Sequence, residues 1–191
     1  MRFRAAAGLL ATVVAVALSV GVAATAQAAT PSRAVTANVT PTIGTSYEIV
    51  TWNSGPTGVK CVDVPNASTS PGQFLQIFHC NSSAAQLFQF TPASNDGVNQ
   101  FYQIMNAHSH LCWELASDNT TIEQAGCVGF DTEQWRFEDR PDFGPGAFFL
   151  VNKQFPTMCA TTRRANPAFP SDHDRLVLGT CGFGTQPWRL G

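Results

Sequence analysis

Residues 61–88 of this 191-residue chain read CVDVPNASTSPGQFLQIFHCNSSAAQLF, two cysteines followed by a polar-x-aromatic triplet. The same order recurs in residues 112–135 and in residues 159–188. The second cysteines of successive units lie 47 and then 54 positions apart, and the triplets lie 47 and then 53 positions apart. A repeat of this period indicates one supersecondary unit used three times. The triplets are Gln86-Leu87-Phe88, Glu133-Gln134-Trp135 and Gln186-Pro187-Trp188.

Short β-favouring runs alternate with Gly, Pro, Asn and Asp around these cysteines, as is typical of strands joined by tight turns. In Phe74–Phe78 the alternation places Leu75 and Ile77 on one face. Beyond residue 45 the sequence has no helical periodicity. We predict an all-β domain over residues 46–191, with about four strands in each of three repeats, about 46–94, 95–141 and 142–191. Matching strand ends, six to eight residues before the first cysteine of each unit, are Trp52-Asn53, Met105-Asn106 and Val151-Asn152.

The N-terminus predicts export. Arg2 and Arg4 precede a small, apolar stretch from Ala5 to about Ala24, and residues 26–28 form an A-x-A cleavage signal. A membrane-anchoring helix is the alternative, since the stretch is close to spanning length. Its Ala, Gly and Val composition, with no basic cluster after it, favours the signal peptide. We expect residues 1–28 to be removed, residues 29–45 to form a disordered tail or linker, and the rest to be secreted.

Charge and cysteine content narrow the classes of partner. Loss of Arg2 and Arg4 from 11 basic residues leaves 9 against 13 acidic ones, a net charge of −4. We therefore expect no nucleic-acid partner, and no membrane association after signal cleavage. Six cysteines in an exported chain favour disulfides over a metal site. Although six cysteines allow 15 pairings, the repeat selects one bridge within each unit: Cys61–Cys80, Cys112–Cys127 and Cys159–Cys181.

The repeated unit resembles that of the ricin-B-type β-trefoil lectins, a family of sugar-binding modules. The first unit carries most of the family pattern, and the third ends in its Q-x-W triplet. The matching segments of the first unit are Cys61-Val62-Asp63-Val64, a turn with Gly72, Gln76–Asn81 and Gln86-Leu87-Phe88. The resemblance covers residues 46–191 and implies a β-trefoil, a six-stranded barrel capped by three hairpins with pseudo-threefold symmetry. It also implies that Phe88, Trp135 and Trp188 belong to the core, and that the triplet Gln bonds to backbone.

The resemblance also implies a set of sugar-binding residues. A carboxylate accepts from adjacent hydroxyls, an amide donates and accepts, and an aromatic ring covers the apolar face of a sugar. The first unit supplies Asp63, Gln76 and Phe78 at the family's positions, with Ala85 where the family has Asn. We predict these three as ligand-binding residues, with galactose-type glycans as the implied ligands. In the alternative, Asp63 only bonds to turn amides and Phe78 only fills space.

The second and third units lack this set of residues. At the corresponding positions the second unit has Glu114, Glu123, Ala125 and Thr132, and the third has Thr161, Val177, Gly179 and Thr185. Glu114 could still accept hydroxyls, but no ring accompanies it, because Trp113 should face the opposite side of its strand. We therefore expect one sugar site, in the first repeat.

The remaining polar clusters match no motif. His108-Ser109-His110 lacks further ligands for a metal, and Asp172-His173-Asp174 lacks the Gly and Glu of a calcium loop and is interpreted as a polar turn. No cofactor is expected, and no enzyme, since catalytic motifs are absent and pairing Glu114 with Glu123 for glycoside hydrolysis rests on a common residue type. Two functions remain open: a secreted lectin, or a trefoil scaffold with eroded sugar sites that binds a protein partner as an inhibitor or toxin-assembly subunit.

Overall fold

The computed structural model describes residues 39–52, 58–163, 170–182 and 184–191. The first repeat contains β1 (Ser46–Thr51), β2 (Lys60–Asp63), β3 (Gln73–Phe74), β4 (Gln76–His79) and β5 (Leu87–Asn95). The second contains β6 (Gln100–Asn106), β7 (Cys112–Leu115), β8 (Ile122–Ala125) and β9 (Trp135–Asp139). The third contains β10 (Phe148–Asn152), β11 (Met158–Thr162), β12 (Leu176–Thr180) and β13 (Trp188–Leu190). Three single 3-10 turns lie at Pro65–Ala67, Ala84–Gln86 and Asp131–Glu133.

Six of these strands form a closed ring. The antiparallel pairings run β1–β5, β5–β6, β6–β9, β9–β10, β10–β13 and back from β13 to β1. Each repeat contributes its first and last strand to this ring, so the repeat in the sequence becomes a threefold repeat in space. Closure leaves the barrel without a free edge strand.

Six of the seven other strands form three hairpins that cap the ring. They are β2–β4, β7–β8 and β11–β12, one from each repeat and all antiparallel. Single bridges, Gln76 with Arg175 and Thr121 with Val177, join neighbouring hairpins, as does the pairing of β3 with β8. The predicted β-trefoil, with four strands per repeat and β3 as an added two-residue strand, is confirmed.

The core is built from the inward face of every repeat. Phe88, Trp135 and Trp188, the aromatics of the three triplets, are fully buried, which confirms their predicted place in the core. Leu75 and Ile77 are also fully buried, as the alternation within Phe74–Phe78 predicted. Burying large aromatics supplies much of the area that drives folding of a small β domain.

The repeated asparagines at the strand ends have a structural explanation. Asn106 donates through Nδ2 to the Ala85 and Leu87 carbonyls (3.1 and 3.2 Å), while its Oδ1 accepts from the next turn. Asn152 donates in the same way to the Thr132 carbonyl (3.1 Å). In each case the side-chain amide at the end of a ring strand binds backbone carbonyls at the triplet of the preceding repeat. Asn53, the third predicted member, lies outside the described residues.

All three predicted disulfides are present, one in each repeat. Cys61–Cys80, Cys112–Cys127 and Cys159–Cys181 join residues whose Cα atoms are 5.0, 5.1 and 5.1 Å apart. Each bridge joins the first strand of one capping hairpin to a cysteine one or two residues after its second strand, and closes a short loop. By the chain-entropy account such loops contribute about 3 kcal/mol each.

The N-terminal part of the described chain contacts the domain. Val39 donates its N–H to Asp139 Oδ1 (3.0 Å) and packs against the core, and Pro41 is buried. Within the predicted tail of residues 29–45, an apolar side chain and a backbone donor of Val39 thus find partners in the domain. The predicted signal peptide, residues 1–28, lies outside the described residues. Within the described ranges, no helix is long and apolar enough to cross a bilayer.

Candidate carbohydrate-binding site

A surface pocket of about 260 Å³ lies on the first capping hairpin. Asp63, Gln76 and Phe78, the three predicted ligand-binding residues, all line it, together with Ala85. Strand register explains the grouping, because Asp63 pairs with Gln76, and Phe78 lies two residues beyond on the same face. Val62 and Ile77, on the opposite face, are fully buried in the core.

Two side-chain amides orient the Asp63 carboxylate. Gln76 Nε2 donates to Oδ1 at 2.7 Å, and Gln86 Nε2 donates to Oδ2 at 3.2 Å. These are not the turn amides of the alternative interpretation. A carboxylate offers about four lone-pair sites, so both oxygens retain capacity for ligand hydroxyls. Asp63 is only 6% exposed, and bonds made by a carboxylate in such a site are stronger than neutral ones.

Gln86 of the first triplet has a second role that the sequence did not predict. Besides donating to Asp63, it donates to the His79 carbonyl (3.0 Å) and accepts from the Asn81 N–H (2.8 Å). The predicted bond from the triplet amide to backbone is therefore present. Its further bond to Asp63 connects the fold-defining triplet to the pocket, so Gln86 positions a site residue.

Ala85 forms part of the pocket wall where the resembling family has Asn. Its carbonyl accepts from the Val64 N–H (3.1 Å) and from Asn106 Nδ2 (3.1 Å). These bonds fix the backbone at this position, so that Ala85, 5% exposed, offers only a methyl group to the pocket.

The third repeat contributes a residue to the first-repeat pocket. His173 lines the pocket, its Nδ1 lies 3.1 Å from Gln76 Oε1, and its ring centroid is 5.0 Å from that of Phe78. Because Gln76 Nε2 donates to Asp63, Oε1 faces His173 as an acceptor, which requires the proton on Nδ1. Asp172-His173-Asp174 is a turn, as interpreted from the sequence, and its His173 forms part of the pocket wall.

An ion pair holds this third-repeat segment against the first hairpin. Lys60 Nζ lies 2.8 Å from Asp172 Oδ1, and His79 Nδ1 lies 3.5 Å from Oδ2. Burial would raise the pKa of Asp172, but the hydrogen bonds and charges of Lys60 and His79 bring it below its ordinary value. The only sign of this third-repeat segment in the sequence is the 21-residue interval between Cys159 and Cys181, the longest of the three intervals between paired cysteines. Its length gave no indication of which repeat it would contact.

The second repeat has acidic groups but no aromatic platform. Glu114 and Glu123 are direct cross-strand partners on β7 and β8. Trp113 is fully buried in the core, as its predicted orientation requires. Burial, followed by the charges of Glu133 and Glu123, raises the pKa of Glu114, and burial, followed by Asp118, raises that of Glu123. The two facing carboxylates therefore destabilise the folded state at neutral pH.

Because the two carboxylates repel each other, we predict that Glu123→Gln stabilises the folded protein in a pH-dependent way. Because the pKa of Glu123 is raised above 4.5 in the folded state, stability present below that pH is lost as the pH rises through the folded pKa. At pH 7 the variant should be more stable by about 0.3–1 kcal/mol, or about 1–3 °C in Tm. The gain should shrink at pH 4, as thermal unfolding at both pH values would show. Glu138→Gln, which removes a partner of Arg136, is the control and should give no gain. An equal gain at both pH values would contradict the assignment.

The third repeat uses its corresponding residues internally. Thr161 Oγ1 accepts from the Gln186 N–H (3.0 Å), and Thr185 Oγ1 donates to the Thr180 carbonyl (2.6 Å). A Cβ atom added at Gly179, the aromatic position, would lie 2.9 Å from Thr161 Cγ2. The threonine methyl group therefore takes the space that a ring would need.

One cluster of metal-type ligands occurs among the described residues. Glu48, Cys61 and Cys80 lie within 4.8 Å of one another, but the two sulfurs form a disulfide and supply no thiolate. The cluster therefore has a single carboxylate with which to hold an ion, and metal ligation needs several donors.

Comparison with known proteins assigns the family. The chain is similar to the designed threefold-symmetric protein ThreeFoil (26% identity, TM-score 0.64, covering 76% of this chain and 96% of that one). It is also similar to the Rhizoctonia solani agglutinin (13%, 0.61, covering 81% and 98%). An exo-β-1,3-galactanase from Clostridium thermocellum matches as well (19%, 0.63), with 77% of this chain aligned to 30% of that enzyme. No curated protein sequence matches. Residues 53–188 match the ricin-type beta-trefoil lectin domain, and the chain therefore belongs to that family of carbohydrate-binding domains.

Proposed function

We propose that this protein is a secreted lectin that binds carbohydrate through one pocket, in its first repeat. The observation that supports this most is the convergence of Asp63, Gln76 and Phe78 on one pocket, with the carboxylate oriented by two amides. A sugar would place adjacent hydroxyls on Asp63 and Gln76 and its apolar face against Phe78. Galactose-type glycans are the first candidates, from the family resemblance.

Secretion is part of the proposal and rests on the sequence of residues 1–28 and on the three disulfides. Disulfides form and persist in oxidising, extracytoplasmic compartments. Protein recovered from the culture medium should begin at Ala29 when its N-terminus is sequenced. Recovery of the full chain only inside the cell would reject this part of the proposal.

A glycan array tests the proposed binding. The oxidised protein should bind a subset of glycans, and Asp63→Ala should abolish that binding while circular dichroism remains unchanged. Binding that survives the substitution would remove the site from the first repeat. Absence of binding by folded protein with all three disulfides would favour the alternative function, a scaffold for a protein partner, for which the altered second and third repeats are the supporting observation.

Ala85→Asn is expected to strengthen binding at the same pocket. The new amide would stand where the Ala85 methyl group now lines the wall and would add about one hydrogen bond to a ligand hydroxyl. One such bond contributes about 1 kcal/mol, roughly a fivefold lower Kd. Calorimetric titration with a glycan found on the array measures the change. Ala84→Asn, at the exposed neighbouring position, is the control. Unchanged affinity in a folded Ala85→Asn variant would contradict a site of the family type.

A further inference from the structure

A second pocket, of about 250 Å³, lies beside the first on the same hairpin. Phe74 and Arg175 line only this second pocket, while Gln76 and His173 line both. The pair formed by Gln76 Oε1 and His173 Nδ1 (3.1 Å) is therefore the wall between the pockets. A ligand larger than one sugar ring could occupy both by crossing that wall.

Strand alternation arranges the floor of both pockets in one row. Phe74, Gln76 and Phe78 share one face of the 73–79 segment, while Leu75 and Ile77 between them are fully buried. Four residues of extended chain span roughly 13 Å. The row is thus an aromatic ring, an amide and a second aromatic ring, with the amide at the boundary between the pockets.

Backbone bonds hold the third-repeat side of both pockets in place. His173 N–H donates to the Ile77 carbonyl (2.9 Å), Ile77 N–H to the Asp174 carbonyl (2.9 Å), and Leu176 N–H to the Leu75 carbonyl (3.0 Å). Arg175 bridges Gln76 in the same antiparallel arrangement. His173, which lines both pockets, and Arg175, which lines only the second, therefore lie along one side of the row.

The two pockets differ in charge. The first contains the Asp63 carboxylate, whereas the described residues that line the second include Arg175 and His173 and no carboxylate. The Arg175 guanidinium lies 4.5 Å over the Phe74 ring, which orients it. Among the described residues no carboxylate forms an ion pair with Arg175, in contrast to Arg136 and Arg140. An oriented arginine without an acidic partner suits a planar carboxylate, which it can bind through two parallel bonds.

We propose that the second pocket is a subsite for a carboxylated sugar, so that the ligand of this protein is an acidic oligosaccharide. A neutral residue occupies the Asp63 pocket, and an adjoining uronic or sialic acid residue places its carboxylate on Arg175. This inference rests on the proposed function, because it extends the ligand of the same site. It adds a specificity-determining residue, Arg175, that comes from a different repeat.

Matched oligosaccharide pairs test the inference. Lactose against 3′-sialyllactose, and galactobiose against galacturonosyl-galactose, differ in the presence of one carboxylate, and every member keeps a neutral sugar for the Asp63 pocket. The wild-type protein should bind the acidic member of at least one pair about fivefold more tightly at low salt, as expected for an exposed ion pair. Raising the salt concentration to 1 M should reduce that ratio, because exposed charges are then screened.

Arg175→Ala should bring the acidic-to-neutral ratio of affinities close to one. Arg189→Ala, which removes an exposed arginine on β13, is the matched control and should leave the ratio as in the wild type. Equal binding of acidic and neutral members by the wild type, or a ratio that survives Arg175→Ala, would overturn the subsite while leaving the lectin function intact. If neither the pairs nor the array glycans are bound by folded protein, the proposed function fails and the subsite fails with it.

Discussion

Replacing Trp188 by alanine is expected to lower the free energy of unfolding by about 3–5 kcal/mol. Trp188 is fully buried, pairs with Thr51 and Phe148, and belongs to the strand that closes the ring. Its indole N–H donates to the Ala160 carbonyl at 3.0 Å. The substitution therefore opens a cavity and removes a buried hydrogen bond. For a domain of this size the midpoint of thermal unfolding should fall by about 6–20 °C, measurable by calorimetry with the disulfides intact.

A comparison with Trp135 separates packing from hydrogen bonding. Trp135 is equally buried, but its indole N–H has no hydrogen-bond partner among the described residues. Trp188→Phe and Trp135→Phe remove the same atoms, yet only the first loses a hydrogen bond. We expect Trp188→Phe to be the more destabilising by about 1–2 kcal/mol. Equal costs would mean that the bond to Ala160 contributes nothing to stability.

Replacing Asp63 by alanine is expected to weaken glycan binding by about 100-fold or more. A carboxylate bonded to two hydroxyls contributes about 1.5–3 kcal/mol for each bond, and every 1.4 kcal/mol is tenfold in Kd. Asp63→Asn keeps the shape and one acceptor oxygen, so its loss should be smaller. The ordering wild type, Asn, Ala in affinity, measured with one array glycan, is the signature of a carboxylate that contacts the ligand.

Substituting Asp63 also lowers the stability of the folded protein. A control variant separates this loss of stability from the loss of binding. Asp63→Ala leaves Gln76 Nε2 without its acceptor, whereas Gln86 Nε2 keeps the His79 carbonyl. The stability cost should be about 1–3 kcal/mol, too small to unfold the protein at 25 °C. Asp142→Asn, at an exposed carboxylate paired with Arg140, should alter neither binding nor stability by much. Equal affinity of Asp63→Ala and wild type would exclude Asp63 from the ligand site.

Features that repeat along the chain could be predicted from the sequence. The period implied one unit used three times, and from it followed the three disulfides and the number of strands. Alternation along a strand placed Trp113 and Glu114 on opposite faces, and Trp113 is indeed buried in the core. These predictions depend only on residues close together in one repeat, where local geometry determines which side chains share a face.

Contacts between repeats could not be predicted in the same way. His173 and Arg175 reach the first hairpin because the backbone of residues 173–176 forms hydrogen bonds with residues 75–77. This pairing joins the third repeat to the first, so the sequence of neither repeat alone predicts it. The bond from Gln86 to Asp63 was also missed, since the triplet was assigned to the core. In both cases the sequence identified the residue types, while their partners depended on how separate segments meet.

The pairing of β1 with β13 has a consequence for the order in which the protein can fold. Ile49 pairs with Leu190, so the ring is completed by residues at opposite ends of the domain. A chain emerging from the ribosome or through a translocation channel therefore cannot close its barrel until the last strand is available. Until then β1 and β10 each have an exposed edge, which is a template for aggregation. Loss of the final few residues should thus be more harmful than their small number indicates, because it leaves the whole ring open.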